Sequence, residues 1–389
     1  MKTYRNNIRK FWLKLHLALA LSVGLLFVIL GLTGSCNVFY YELREWNLAK
    51  PMALSNQQPL PLDHLLQIVQ TEHPQRQGSW SLLLPGYGAD YLLAEYLNPE
   101  ETRSEMFAPL EVLVDPYTGR IAEQSFWGRT LPSKLYEIHA ALMLGTLGKE
   151  AGQLGFNTVS SLGALLFLSC LSGLYLWWPR TGKFKKASTI KAHASSERFY
   201  YDVHKTAGFY GSLCLLILAF TGFAFGYENV FRPIVALFSP VAKEHLQVPE
   251  LKSTRLNAQP PMTVMQAVAV ADRIFPGAEL RMINTPDGPD GVYMVAKKQA
   301  GEANRKRPRS KVWIDQYSGK VLAVQDPNRF TAGETFFNLL WPLHDGQAFG
   351  QLGRIVWCMV GFLPFILYVS GVLWWLRKRK AQRMRTNTT

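Results

Sequence analysis

Cysteine is scarce in this chain, and where it falls excludes as much as its number. Cys36, Cys170, Cys214 and Cys358 all lie in long apolar runs, so the two long segments between those runs fold without disulfides or thiolate metal sites. Each cysteine is expected to serve as a small buried apolar side chain. Charge is also thin, at 18% of residues against 48% hydrophobic, too apolar a balance for a wholly aqueous protein. No G-x-G-x-x-G opens a strand–helix unit and no P-loop is present, which excludes the usual nucleotide-binding folds.

Four apolar runs are present instead, at 15–41, 158–178, 207–227 and 355–376. Each reaches the roughly 20 residues that a helix needs to cross a bilayer core, so four spans are expected. The first continues into Asn37, Phe39 and Tyr40 with no A-x-A-like cleavage site at its end, and so reads as a retained anchor.

The net charge of +14 would suggest nucleic-acid binding in a soluble chain, but its distribution argues for membrane sidedness. Segments 1–14, 179–206 and 377–389 hold 18 cations and only Glu197 and Asp202 as acids; the remainder carries 24 cations and 26 acids. By the positive-inside rule both termini and the middle loop are expected in the cytoplasm of a bacterium. Segments 42–157 and 228–354 then face the periplasm.

The chain reads as two copies of one plan. His16 and His204 are each followed seventeen residues later by Thr-Gly, at Thr33-Gly34 and Thr221-Gly222. VLVDPYTGRIAEQ at 112–124 matches VWIDQYSGKVLAVQ at 312–325, each a strand, tight turn and strand with Gly119 or Gly319 suited to the positive φ of the turn. His139 precedes Gly145 and Gly148 by the intervals at which His344 precedes Gly350 and Gly353. The second and fourth spans end in SGLYLWWPR and SGVLWWLRK, whose tryptophan pairs belong at the interface.

Within each half a helix is expected first, at 62–73 and 264–275, followed by strands near 80–84, 91–96 and 105–114, and near 278–284, 291–298 and 311–314. Each long segment thus reads as a small α+β lobe with a helix on an antiparallel sheet. The fold class expected is an α-helical membrane protein with four transmembrane helices, two periplasmic α+β lobes and an internal two-fold repeat.

The four duplicated histidines are the candidate site. An ionisable side chain at membrane depth is costly, and paired imidazoles at one depth suit axial ligation of haem iron. A helix rises about 1.5 Å per residue, so Thr33 stands roughly 25 Å from His16 and the ligands should sort by depth. His16 with His204 would hold a cytoplasmic-side haem, and His139 with His344 a periplasmic-side haem, with Gly145 and Gly350 letting a flat macrocycle approach the backbone. No C-x-x-C-H motif occurs, so two non-covalent b-type haems per chain are expected. The alternative is structural: each imidazole bonds a carbonyl in the bundle or snorkels to headgroups. His64, His73, His193 and His245 have no counterpart in the other half and are assigned no ligand role.

The D-x-Y-[TS]-G turns, the H-x(16)-T-G pairs and the doubled H-x(5)-G-x(2)-G segments resemble the PepSY-associated transmembrane family, over nearly the whole chain. That family includes ferric-siderophore reductases of bacterial inner membranes. The resemblance implies PepSY lobes and one-electron reduction of a periplasmic ferric siderophore. Fe(II) is softer and less charged than Fe(III) and is released by hard oxygen ligands. Electrons would come from quinol or a cytoplasmic reductase, and the dock is expected between the lobes. Besides the siderophore and the electron donor, the expected partner is membrane lipid, with no nucleic acid. Two other readings stand beside this one: an envelope binding or regulatory module without redox activity, and a haem or chelate carrier. The cluster Arg305, Lys306, Arg307, Arg309 and Lys311 is expected to be a solvated loop, with a dock for an acidic ligand or partner as the alternative.

Overall fold

The computed structural model describes residues 2–51, 58–179, 182, 184–191, 195–242, 251–255 and 260–386. A bundle of long apolar helices carries one antiparallel sheet at one end. The helices are α1 (Lys2–Ser22), α2 (Gly24–Asn37), α3 (Tyr40–Glu45), α4 (Leu62–Glu72), α5 (Leu131–Ala141), α6 (Lys149–Trp177), α7 (Phe184–Ala187), α8 (Ser196–Gly226), α9 (Glu228–Ala236), α10 (Val264–Ile274), α11 (Ala332–His344), α12 (Gly350–Val360) and α13 (Leu363–Thr386). The strands are β1 (Trp80–Leu83), β2 (Leu92–Tyr96), β3 (Leu110–Val114), β4 (Ile121–Phe126), β5 (Glu279–Asn284), β6 (Val292–Lys298), β7 (Ser310–Asp315) and β8 (Val321–Gln325).

Among the described residues three helical stretches are long and apolar enough to cross a membrane, and a fourth if a bent pair counts as one span. That pair is α1 and α2, which meet at 62°. The bend falls at Val23-Gly24, where a Cβ on Gly24 would stand 2.7 Å from the Tyr368 ring, so α13 packs hard against the corner. The single span expected at 15–41 is therefore two helices that meet at a bend. Where α2 crosses the α12–α13 junction, Gly31 and Gly361 bring the backbones together and Ser35 donates to the Cys358 carbonyl at 2.8 Å. All four cysteines are unpaired and half-buried, not fully buried as expected.

The eight strands form one sheet in the order β4-β3-β2-β1-β5-β6-β7-β8. The two expected lobes are thus joined edge to edge: Ser81, Leu82 and Leu83 pair with Asn284, Ile283 and Met282. Pairing β1 with β5 removes two exposed strand edges. One face packs Leu65 and Val69 of α4 and Val264, Ala267 and Ala271 of α10 over Trp80, Leu82, Val112, Ile283 and Ile314 as a continuous core. Asp63 of α4 accepts from the Val264 and Met265 amides, so one helix caps the other's N-terminus. The opposite face, with Leu93, Leu113, Met294 and Trp313, is covered by Tyr41 and Leu48 from beyond α2.

Both D-x-Y-[TS]-G segments form the expected turn. The Asp115 carboxylate accepts from the Tyr117 and Thr118 amides and that of Asp315 from the Tyr317 and Ser318 amides, while Gly119 and Gly319 take φ of 72° and 69°. The third strand of the first half begins at Leu110 and not at 105, because residues before it descend toward the helices.

Candidate functional site

The structure brings the four histidines together in the two pairs expected. His16 on α1 and His204 on α8 have ring centres 6.1 Å apart; His139 on α5 and His344 at the end of α11 are 6.0 Å apart. The first pair lies away from the sheet and is called distal here; the second is the sheet-side pair.

One cradle recurs at all four rings. His16 Nδ1 lies 3.2 Å from the Ser169 carbonyl and 2.9 Å from the Ser172 hydroxyl. His204 Nδ1 is 2.9 Å from the Leu367 carbonyl and 3.5 Å from the Ser370 hydroxyl. His139 Nδ1 is 2.8 Å from the Leu30 carbonyl and 3.4 Å from the Thr33 hydroxyl. His344 Nδ1 is 2.8 Å from the Thr221 hydroxyl and bonds the Leu218 carbonyl. In every case the carbonyl belongs to the residue three before the hydroxyl, on one turn of a neighbouring long helix.

The next residue is always glycine. An ideal Cβ would stand 3.3 Å from His16 at Gly173, 3.0 Å from His204 at Gly371, 2.7 Å from His139 at Gly34 and 3.3 Å from His344 at Gly222. A side chain there would push the ring off its carbonyl.

The cradle fixes the tautomer. A carbonyl oxygen only accepts, so Nδ1 carries the proton in all four rings. The hydroxyls donate to their own helices, as Thr33 does to Ile29 at 2.7 Å and Thr221 to Ile217 at 2.7 Å, and so present a lone pair to Nδ1. Nε2 is left unprotonated in the neutral imidazole and, among the described residues, makes no hydrogen bond. Anchoring one nitrogen on a carbonyl and leaving the other bare is how proteins present a histidine to a metal. No group of three or more His, Cys, Asp or Glu side chains suited to a metal ion exists among the described residues, so these two-imidazole sites stand alone.

The sequence showed the Thr-Gly half of this arrangement. The Ser172-Gly173 and Ser370-Gly371 pairs stand in the sequence only as the start of the tryptophan-ended motifs, with no local sign of the rings that they meet. Gly145 and Gly350 do not line the rings as expected: a Cβ on Gly145 would meet the Glu137 carboxylate, and Gly350 faces the Arg305 guanidinium. His64 and His73 lie at α4 on the far face of the sheet, with His73 against Trp80 at 6.0 Å. His193 and His245 lie outside the described residues.

Above the sheet-side pair stands a polar layer between the helices and the sheet. Arg44 of α3 pairs with Glu123 and, at 3.5 Å, with Glu111, both on the sheet. Burial pushes the Glu111 carboxyl up to about 7, with Glu95 adding to the rise and Arg44 opposing it. Arg354 of α12 donates to the Val38 carbonyl at 2.7 Å and pairs with Glu42 at 2.7 Å, tying the end of α2 to α12. The expected solvated loop of cations is part of this layer. Gln347 accepts from the Arg305 and Lys306 amides at 2.7 and 3.3 Å, and Arg307 pairs with buried Glu95 at 3.1 Å, so the loop is held against the helices.

Apolar helices long enough to cross a membrane, one eight-stranded antiparallel sheet and two imidazole pairs among the helices define a membrane protein of helix-bundle and sheet architecture. The family model for the PepSY-associated TM region matches residues 13–378, and the chain belongs to that family. No curated protein matches it.

Proposed function

We propose that the chain holds two b-type haems, one at each histidine pair, and passes single electrons through a bacterial inner membrane to a periplasmic ferric siderophore. The observation that carries this reading is the cradle repeated at four imidazoles that meet in two pairs. It is supported by size: with imidazole nitrogens about 2.0–2.1 Å from a metal ion, and ring centres about 1.1 Å further, two axial ligands place their rings about 6.3 Å apart. The 6.0 and 6.1 Å separations suit that geometry. The residues therefore fit the group.

In this reading the bent α1–α2 pair is one span, giving four, with two equivalent halves, two joined periplasmic lobes and cytoplasmic termini. The crowding of cations at the termini and the middle loop supports that orientation. Haem held by His16 and His204 and by His139 and His344 would supply reversible one-electron transfer. The chain's own contribution is to hold each Nδ1 proton on a helix carbonyl, which raises the basicity of Nε2, and to keep both rings from turning. The electron donor is quinol or a cytoplasmic reductase, and one electron converts Fe(III) to Fe(II) in the chelate, which then loosens.

The test is reoxidation of dithionite-reduced protein by ferric siderophores with a ferrous chelator present. Reoxidation well above the buffer rate with ferrous trapping is expected. Haem-loaded protein that no siderophore reoxidises faster than buffer would contradict the reductase reading and leave the haem sites standing.

A further inference from the structure

The connection between the middle strands of each half descends to the segment that follows the sheet-side histidine. In the first half, 97–109, the Met106 amide donates to the Gly145 carbonyl at 3.0 Å. In the second, 299–309, the Arg305 and Lys306 amides are held by Gln347, and Asn304 donates to the Asn338 carbonyl at 2.9 Å. The tips differ in chemistry. Glu105, Met106 and Phe107 stand at the first, and Glu105 is neutralised by Arg129. Arg305, Lys306 and Arg307 stand at the second.

Lys306 has no ion pair among the described residues; its ammonium lies 5.1 Å over the Tyr41 ring, with Asp345, Glu42 and Arg354 within electrostatic reach. Burial and Arg354 hold its amine below the usual lysine range, a cost that an added anion would relieve. Arg307 uses Glu95 and the Tyr41 hydroxyl, yet 51% of its side chain remains open to solvent. Tyr136, one turn before His139 on α5, is within electrostatic reach of Arg307 and of Asp345, which follows His344, and the Lys306 amide is held by Gln347, so both cations stand beside the segment that follows the sheet-side pair.

We propose that Lys306 and Arg307, with the ring and hydroxyl of Tyr41, form an oxyanion site at the mouth of the sheet-side pair, and that its ligand is the anionic oxygen shell of a soluble ferric chelate. A charged, partly desolvated donor pair favours catecholate or carboxylate oxygens and disfavours a chelate of net positive charge. That the anion carries iron rests on the reductase reading; the oxyanion site itself does not.

Redox-inert gallium(III) chelates separate the two. The full chain in detergent is titrated with a gallium tris-catecholate of net negative charge and with a gallium tris-hydroxamate whose ammonium arm makes it net positive. The anionic chelate is expected to bind more tightly, with affinity falling as salt rises. Lys306→Gln should weaken it about tenfold while Lys306→Arg retains it and the cationic chelate is unaffected. Preference for the cationic chelate, or salt-independent binding of the anionic one, overturns the proposal even if the variants fail to fold. So does a Lys306→Gln protein that binds the anionic chelate as before but shows a shifted midpoint potential of the sheet-side haem. That result would assign the cation to the haem's own carboxylates. Because gallium takes no electron, failure here leaves the reductase reading untouched, and its success does not depend on it.

Discussion

At the distal pair the imidazoles stand on α1 and α8, long helices of the bundle; at the sheet-side pair they stand on α5 and at the last residue of α11, short helices packed against α2 and α8. The cradles are the same, but the charges beside them are not. Asp202, two residues before His204 and fully buried, is answered by Arg198 and Lys205, each at 3.0 Å, and by the Lys191 amide. Asp345, next to His344, accepts hydrogen bonds from Gln347 alone among the described residues, with Lys306 and Arg354 within electrostatic reach but in no ion pair with it. One end is electrostatically closed and the other is not. A common cradle sets what the rings can hold, and the surroundings set what can approach them.

Removing a ligand should break the comparison most completely. His16→Ala and His204→Ala should each lose the distal haem and keep the sheet-side one, and His139→Ala and His344→Ala the reverse, so that b-type absorbance falls by about half in every case. Equal spectral loss of both haems in all four variants would show that the pairs are not independent.

Much of this pairing is legible in the sequence, because His16 and His204 share a spacing to Thr-Gly and helical rise separates depths. The cradle is less so: Ser172 and Ser370 meet rings more than 150 residues away in sequence, and no local pattern says which neighbouring helix a histidine will lean on. Helix and strand order followed from periodicity, with the strands ending within a residue or two of expectation except at β3. The single sheet did not, since the Ser81↔Asn284 pairing is non-local and either edge could have been left exposed. Nor did the bend at Gly24, which reads as one more small residue in an apolar run until the Tyr368 ring is placed against it.

Acidity should sharpen the contrast between the two ends. Glu111 titrates near 7 in the folded chain, above the ordinary 4.5, and Glu45 is likewise pushed up to about 7 by burial. The folded state therefore holds protons that the unfolded chain has released between those values. Stability from these groups is fully present below about pH 4.5 and is lost as pH rises through about 7. Glu111→Gln should flatten that decline by on the order of 2–3 kcal/mol, seen in thermal melts across the window. The spectrum of the distal haem should not move with it. A decline as steep in the variant as in the parent would remove Glu111 from the account.

The cradle glycines give a graded test. Alanine at Gly34 meets the His139 ring at 2.7 Å, at Gly371 the His204 ring at 3.0 Å, and at Gly173 and Gly222 their rings at 3.3 Å. Haem retention should fall in that order, with about 1–3 kcal/mol of overpacking at the tightest position. A series in which Gly222→Ala is the most damaging would contradict the packing described here.

Smallest of all should be the hydroxyls, since each carbonyl remains when its hydroxyl is removed. Thr221→Ala and Ser172→Ala, at 2.8 and 2.9 Å from Nδ1, should raise the midpoint potential of the nearby haem more than Thr33→Ala and Ser370→Ala, at 3.4 and 3.5 Å. A weaker Nδ1–H bond makes the ligand less basic and favours Fe(II), by on the order of 20–60 mV. Redox titration followed at the haem band resolves the two sites.

If each imidazole pair holds one haem, the haem content of the purified full chain is fixed by the number of pairs. A pyridine haemochrome assay against protein mass should return about two b-type haems per polypeptide, with the low-spin spectrum of two axial imidazoles, as the two ligand pairs require. A folded chain that takes up no haem when supplied with it would show that the imidazole pairs are not haem sites.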